Sequence, residues 1–318
     1  MSAGQSNEIL LAHIAALHYR NGLSQTEIAE RLGLSKMTIS RNLKRAFEQG
    51  VIRVTIEEPF ALEPGRAEAL GEPFPEVSFT VTRDSSPAAI GGAFAYRFGL
   101  DECLGHTIGV GIGSTVAEFV EQMTPMNIGE TYIVQLIGGL PEVGYANPFS
   151  ILGDMAGKLA ATGIYYSTNA LVDTKESRDA LLTTGNDASG APALWETLNC
   201  AVFGIGRIAR GNPHALLLHP HLVTDSEAEE LLTSDAVCEL LGHCFDTNGA
   251  EIRISVSERL ASIPTEALRA VPRRIALAGG AEKSTAVLAA LRSGLVTELV
   301  TDAPCAEGML EELDHTQG

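Results

Sequence analysis

The sequence predicts an α/β protein in two parts: an N-terminal helix-turn-helix domain with a wing, and a larger C-terminal Rossmann-like α/β domain. Three observations predict it. Two short helices joined by a glycine turn, each opened by a serine, fall within residues 24–49. From Val77 onward, short apolar runs alternate with helical patterns. Between these regions lies EEPFALEPGRAEALGEPFP, residues 57–75, whose prolines at 59, 64, 73 and 75 and two glycines break any long element. The expected division is 1–57, a linker over 58–75 with room for a short helix between Pro64 and Gly71, and 76–318.

Within the first part, Glu8 to Arg20 carries apolar residues at a helical period, and Asn21-Gly22 supplies a stop. Ser24-Gln25-Thr26-Glu27 is a capping box, with the Ser24 hydroxyl on the Glu27 amide and the Glu27 carboxylate reaching back. A helix follows with Ile28, Ala29 and Leu32 on one face, and Gly33 ends it. Ser35 caps the next helix, Lys36 to Gln49, and Gly50 stops it. At about 100° per residue, Ile39, Leu43 and Ala46 face inward. Met37, Arg41 and Lys44 then face outward, flanked by Thr38, Ser40 and Arg45, with Lys36 near the helix start. Donors and cations on one face suit a reader of the DNA major groove, and a surface helix of a bundle is the bland alternative. Val51 to Ile56, VIRVTI, reads as a strand and so as a wing.

Charge separates the parts. The chain holds 22 Lys/Arg against 40 Asp/Glu, a formal net charge of −18. Residues 1–56 hold seven Lys/Arg and four Glu, a net of +3, which leaves −21 on the remainder. A basic head on an acidic body suits a protein that touches phosphate at one end only. With 45% hydrophobic residues the chain is too apolar to be mainly disordered. No run of 18 apolar residues indicates a membrane helix, and Met1 to Ile9 has neither the basic flank nor the apolar run of a secretory signal. Five scattered cysteines with no CxxC pair fit a reduced, cytoplasmic protein.

In the body the expected strands are VSFTV, TIGVG, TYIVQLIG, AVFGIG, EIRISV, RIALAG and TELVTD, with helices over 86–99, 115–123 and 149–162. The alternation predicts a mostly parallel sheet covered by helices on both faces, with ligands outside the carboxyl ends of its strands. Three glycine turns stand at such ends. Gly109-Val110-Gly111-Ile112-Gly113-Ser114-Thr115 leads into a helix, so amides, two hydroxyls and a helix N-terminus converge where an anion would sit. Ala278-Gly279-Gly280-Ala281-Glu282-Lys283-Ser284-Thr285 ends like a Walker A loop. Glu282 stands where that loop needs glycine, which argues against nucleotide hydrolysis but leaves Lys283 as a cation at a Gly-Gly turn. Gly204-Ile205-Gly206-Arg207-Ile208-Ala209 has dinucleotide spacing, but Gly211-Asn212-Pro213 leaves no room for the helix such a site requires. No cofactor is expected.

Other polar residues have plain readings. Asp246 precedes Asn248-Gly249 as a turn aspartate, and Asn147-Pro148 reads as a turn. His219-Pro220-His221 and His243-Cys244 lack a further pair at ligand spacing, so no metal is expected. Trp195 reads as packing, and no Ser/His/Asp set or paired carboxylates mark an active site.

The chain resembles the SorC family of bacterial transcriptional regulators. The resemblance rests on LSQTEIAERLGLSKMTISRNLKRAFEQGVI in the head. In the body it rests on GVGIGST, VQLIGGL followed by Asn147, CAVFGIGRI, GHCFDTNG, and RIALAGGAEKSTAVLAALRSGLVTELVTD. It implies an effector domain similar to sugar-phosphate isomerases and glucosamine-6-phosphate deaminase, adapted to sensing a sugar or polyol phosphate, in a chain that is usually a tetramer. By the resemblance, Gly111, Gly113, Ser114 and Thr115 hold the phosphate, Gly279, Gly280 and Lys283 lie at the ligand, and Asp246 meets sugar hydroxyls. Gln135, Gly138 and Asn147 are carried over on the same ground. The stretch from Gly138 to Pro148 lacks the Lys or Arg some relatives have. The expected function is a non-enzymatic, homo-oligomeric regulator binding operator DNA through Lys36, Met37, Thr38, Ser40, Arg41 and Lys44. The alternatives are a sugar-phosphate isomerase or deaminase with an appended helical domain, and a DNA-binding scaffold whose glycine turns bind nothing.

Overall fold

The computed structural model describes residues 3–56, 58–99, 105–140, 147–184, 190–212, 215–219 and 222–317. The chain divides into two compact units, Met1–Glu58 and Pro59–Gly318.

The smaller unit is three helices: α1 (Ala3–Ala15), prolonged by a π-helical turn over Ala16–Arg20, α2 (Gln25–Leu32) and α3 (Lys36–Glu48). Its punctuation is local and was legible. Ser24 and Glu27 form the reciprocal box, Gly33 takes the left-handed conformation at φ 65°, and Ser35 accepts from the Thr38 amide. Ile14, Leu17, Ile28, Ala29, Ile39 and Leu43 close a core. The expected strand over Val51–Ile56 does not form. The segment bends and then runs unpaired, with Val54 58% and Ile56 75% exposed, because an isolated extended segment has no ladder to satisfy its backbone.

The larger unit begins inside the stretch expected as a linker. There α4 (Pro64–Gly71) opens on a proline, which a first helical turn tolerates, and Leu70 and Phe74 are buried. Then follow β1 (Ser78–Thr82), α5 (Pro87–Gly99), β2 (Thr107–Val110), α6 (Ser114–Gln122), β3 (Tyr132–Gln135), α7 (Pro148–Lys158), β4 (Thr162–Ile164), α8 (Lys175–Thr184), α9 (Ala191–Leu194) and β5 (Cys200–Gly204). The chain continues through β6 (Gly206–Arg207), α10 (Asp225–Thr233), β7 (Cys238–Leu240), β8 (His243–Phe245), β9 (Glu251–Ile252), α11 (Thr265–Ala270), β10 (Arg273–Leu277), α12 (Ser284–Arg292), β11 (Glu298–Asp302) and α13 (Ala303–Gln317).

Seven strands make a parallel sheet in the order β1-β11-β10-β5-β2-β3-β4. Alternation along each strand feeds two cores. Ile108, Val110, Val202, Ile275 and Leu277 pack with α5, α6 and α7 on one face. Ala201, Phe203, Ala276 and Leu299 join the core of the other face with residues of α12 and α13.

Three expectations are corrected. The helix expected to reach 162 stops at Lys158, Ala160 turns left-handed at φ 51°, and Thr162–Ile164 becomes β4. EIRISV is strand only over Glu251–Ile252. AVFGIG is broken at Ile205, and its end, β6, enters a second, antiparallel sheet, β6-β7-β8-β9, which the sequence did not announce. Ala160 is exposed and in a conformation that favours glycine. Ala160→Gly is therefore expected to stabilise the larger unit by about 0.5–1 kcal/mol, read as a rise in melting temperature of roughly 2 °C.

Candidate functional site

The order of the parallel sheet reverses between β2 and β5. From β2 the chain moves outward to β3 and β4, and from β5 it moves the other way to β10 and β11. The carboxyl ends of β2 and β5 thus flank a crevice, the usual ligand position in such sheets. Their glycine turns meet there: a methyl on Gly113 would lie 3.5 Å from the Gly204 Cα, and one on Gly204 would lie 3.0 Å from the Ile112 carbonyl oxygen. Gly113, at φ 136°, precedes α6 and supplies no side-chain cap. Among the described residues the amides of Ser114, Thr115 and Val116 have no acceptor, nor do the Ser114 and Thr115 hydroxyls have a partner. Unsatisfied amides at the positive end of a helix dipole, with hydroxyls beside them, form an anion cradle.

The turn after β10 faces the same crevice. Lys283 donates from Nζ to the Ile205 carbonyl at 3.0 Å, joining the Gly279-Gly280 turn to the turn after β5. Burial lowers its pKa, opposed by Glu282, Cys305 and Glu239. Asp302 Oδ2 accepts from the Gly280 amide at 2.8 Å, so that amide is committed to the protein, while Oδ1 takes the Cys305 amide at 2.9 Å. Burial raises the Asp302 pKa. Gly279 is a close-approach position, where a methyl would lie 2.6 Å from Asp302 Oδ2.

Two residues that the sequence reading passed over also belong here, both on β7 and the turn after it. Glu239 is 6% exposed and accepts from the amides of Leu216 (2.9 Å) and Leu217 (3.3 Å). Burial raises its pKa, opposed by those two amides and by Lys283. Its side chain lies against Gly206, in the turn after β5. Leu241, in the turn just after β7, packs against Gly111. The available signal was a carboxylate inside an apolar run, CELL; its partners lie 22 residues or more away.

Four residues carried over by resemblance make contacts within the protein. Gln135 is fully buried, its Nε2 donating to the Ile137 carbonyl (2.6 Å) and its Oε1 accepting from the Tyr166 amide (3.1 Å). Gly138 packs against the backbone of Asn169 and donates its amide to Ala261 (2.9 Å). Asn147 caps α7, accepting from the Phe149 amide at 2.9 Å. Asp246 accepts from the amides of Asn248 and Ala250, both at 2.8 Å, as a turn aspartate does. That turn abuts the Arg292–Ser293 end of α12, whereas Lys283 precedes its other end, about 13 Å away for nine residues. Trp195 is buried and donates to the Gln135 carbonyl at 3.0 Å.

An open groove of about 420 Å³ lies elsewhere, between α6 and α7, lined by Ala117, Glu118, Val120, Glu121, Ile151 and Asp154. Three carboxylates and no cation make it a poor place for a phosphate, so the glycine turns are the better candidate. Among the described residues no cluster of three His, Cys, Asp or Glu is gathered as for a metal; Pro213, Pro220 and His221 lie outside them. No described helix is long and apolar enough to cross a membrane.

In the smaller unit, α3 buries Ile39, Leu43 and Ala46 and turns Lys36, Met37, Ser40, Arg41 and Lys44 outward; Thr38 is half-buried with its hydroxyl 2.8 Å from that of Ser35. Met37 is 71% exposed. Among the described residues Lys36, Arg41, Lys44 and Arg45 have no carboxylate partner, so the face keeps its charge for an external anion.

Comparison with known proteins finds a match for each unit. Residues 90–311 match a family described as a sugar-binding domain, and residues 14–53 match one described as winged helix-turn-helix DNA-binding. The erythritol catabolism regulatory protein EryD of Brucella abortus (strain 2308) is 28% identical over 316 residues, covering 96% of this chain and 97% of EryD. The transcriptional regulator LsrR of Escherichia coli (strain K12) is 25% identical, covering 96% of each. The crystal structure of the full-length sorbitol operon regulator SorC from Klebsiella pneumoniae matches with a TM-score of 0.68 and 25% identity, covering 96% of this chain and 99% of SorC. The molecule is thus an effector-controlled, DNA-binding transcription regulator. The chain belongs to the sugar-binding-domain family, among the SorC-type regulators.

Proposed function

We propose that this regulator controls a carbohydrate or polyol catabolic operon from the cytoplasm, as a homotetramer on operator DNA, and that its effector is a small phosphorylated polyol or sugar. The uncapped N-terminus of α6 carries the reading: at the reversal point of the sheet, three unsatisfied amides and two unpartnered hydroxyls stand across from Lys283. Gly111, Gly113, Ser114 and Thr115 hold the phosphate, and Gly279 and Gly280 shape the opposite wall. Lys283 meets the hydroxylated body of the ligand. The relatives named for erythritol catabolism and for the sorbitol operon favour a polyol. Lys36, Met37, Thr38, Ser40, Arg41 and Lys44 read the duplex. The chain acts as a sensor rather than a catalyst, since the two buried carboxylates described at the crevice, Glu239 and Asp302, are each committed to two backbone amides.

The test is a gel shift on the DNA upstream of its own operon, with and without a panel of polyol and sugar phosphates. One of them changes the shift, and Ser114→Ala combined with Lys283→Ala abolishes that response while leaving basal DNA binding intact. An unchanged response in the double variant would place the effector elsewhere. Product formation from any panel member would favour an isomerase or deaminase instead.

A further inference from the structure

The segment after α3 carries an unused strand edge. Ile52 donates its amide to the Ala46 carbonyl at 3.1 Å, which ties that side of the chain to its own helix. Amides alternate sides along an extended chain, so those of Arg53 and Thr55 point the other way. Among the described residues neither these amides nor their carbonyls have a partner. Side chains alternate as well. Ile52 packs against the core of the three helices, while Val54 and Ile56, next on the same face, are 58% and 75% exposed. Among the described residues the smaller unit offers no second strand, since the chain before Gly50 is helical. Beyond Pro59, residues 61–63 already pair with β1: the Glu63 amide donates to Val81 and the Arg83 amide to Ala61, both at 2.8 Å. A second copy does offer a strand. Set antiparallel about a two-fold axis at Val54, the segment opposes Val54 to the partner's Val54, Ile52 to the partner's Ile56 and Arg53 to the partner's Thr55. Apolar face then meets apolar face, and the ladder bonds fall on Arg53 and Thr55, the groups left free. An axis at Arg53 would set two guanidinium groups directly opposite each other, which is destabilising. An axis between residues would set apolar side chains against polar ones.

We propose that residues 52–56 form an antiparallel ribbon with the same residues of a second copy, centred on Val54, and that this ribbon spaces two α3 helices on operator DNA. Its two-fold symmetry presents those helices to an inverted repeat. A two-stranded ribbon is marginal in water by itself, so it depends on the rest of the chain to hold the copies together. The inference rests on the oligomer reading above and adds to it the contact that pairs the heads.

Cysteine cross-linking of the full chain tests it, with the wild-type chain as background, since its described cysteines are all buried. Under mild oxidation Val54→Cys forms a disulfide-linked dimer about tenfold or more faster than Thr55→Cys, because only a residue on the axis comes within bridging range of its own copy. Adding Thr55→Pro, which removes a ladder amide yet keeps residue 54 extended, slows the Val54→Cys link to background. The linked chain shifts the DNA upstream of its own operon as tightly as the reduced one. Equal rates for Val54→Cys and Thr55→Cys, no link in a chain that sediments as an oligomer, or a fast link that survives Thr55→Pro would overturn the ribbon while the oligomer stands. A linked chain that no longer binds DNA overturns the spacing role. If the wild-type chain sediments as a monomer, the oligomer reading fails and the ribbon fails with it.

Discussion

Arg41→Ala combined with Lys44→Ala is expected to lower operator affinity by about 10²-fold or more at moderate salt. Each cation stands on the exposed face of α3 with no carboxylate partner among the described residues, so its removal costs the protein no internal contact. A lost base or phosphate contact is worth about 1–3 kcal/mol, and two of them account for the drop. Anisotropy titrations over a salt series separate the two kinds of contact. A residue on phosphate reduces the slope of log affinity against log salt by about one and weakens all sequences alike. A residue on a base edge leaves the slope nearer its original value and relaxes sequence preference. Affinity for the effector is unchanged in the double variant. A variant that loses the effector but keeps DNA would reverse this orientation of α3.

The second large effect is at Glu239. Glu239→Ala removes the acceptor of two buried amides, Leu216 and Leu217, and empties the space against Gly206. Unsatisfied buried donors make this cost about 2–4 kcal/mol, a fall of roughly 5 °C or more in the melting temperature of the larger unit. Glu239→Gln keeps the volume and removes the titrating group, at the cost of one of the two acceptors. Burial raises the folded pKa of Glu239 above the ordinary carboxylate value, so the folded state holds this proton more tightly than the unfolded chain. The contribution is therefore full below pH 4.5 and is lost as pH rises through the folded pKa. The melting temperature of Glu239→Gln, taken relative to the wild-type chain, rises with pH across that window. Asp302, whose pKa burial also raises, is present in both chains and cancels in the difference. A flat difference would mean that Glu239 is not held in the way the geometry indicates.

What could be read from the sequence was what is decided within a few residues. Ser24 with Glu27, Ser35, Gly33 and the glycines before Ser114 each act on their own turn, and each is where the residue pattern placed it. Apolar runs alternating with helical patterns announced the parallel sheet, because both of its faces are buried and its runs are long enough to show. The antiparallel sheet was hidden for the opposite reason. Its strands are two or three residues long, and its tightest turn uses leucine where the usual signal is asparagine or glycine. Glu239 was missed because nothing near it in sequence names Leu216, Leu217 or Lys283 as its neighbours. The Asn-Gly turn expected after Asp246 is present, with Oδ1 accepting from the amides of Asn248 and Ala250. The wing was expected from β-branched residues alone, and such residues do not pair without a second strand.

The pairing of β1 with β11, Ser78 against Glu298, has a consequence for how this polypeptide comes into being. On the ribosome the three-helix reader is complete and can fold early, since it is a compact unit with a core of its own. The sensor must wait. Its first strand stays unzipped until a partner more than 200 residues later has emerged, and such distant pairings are slow to form. A message cut short ahead of Glu298 would thus release a reader with no governor, able to grip a promoter fragment but deaf to the nutrient it was meant to report.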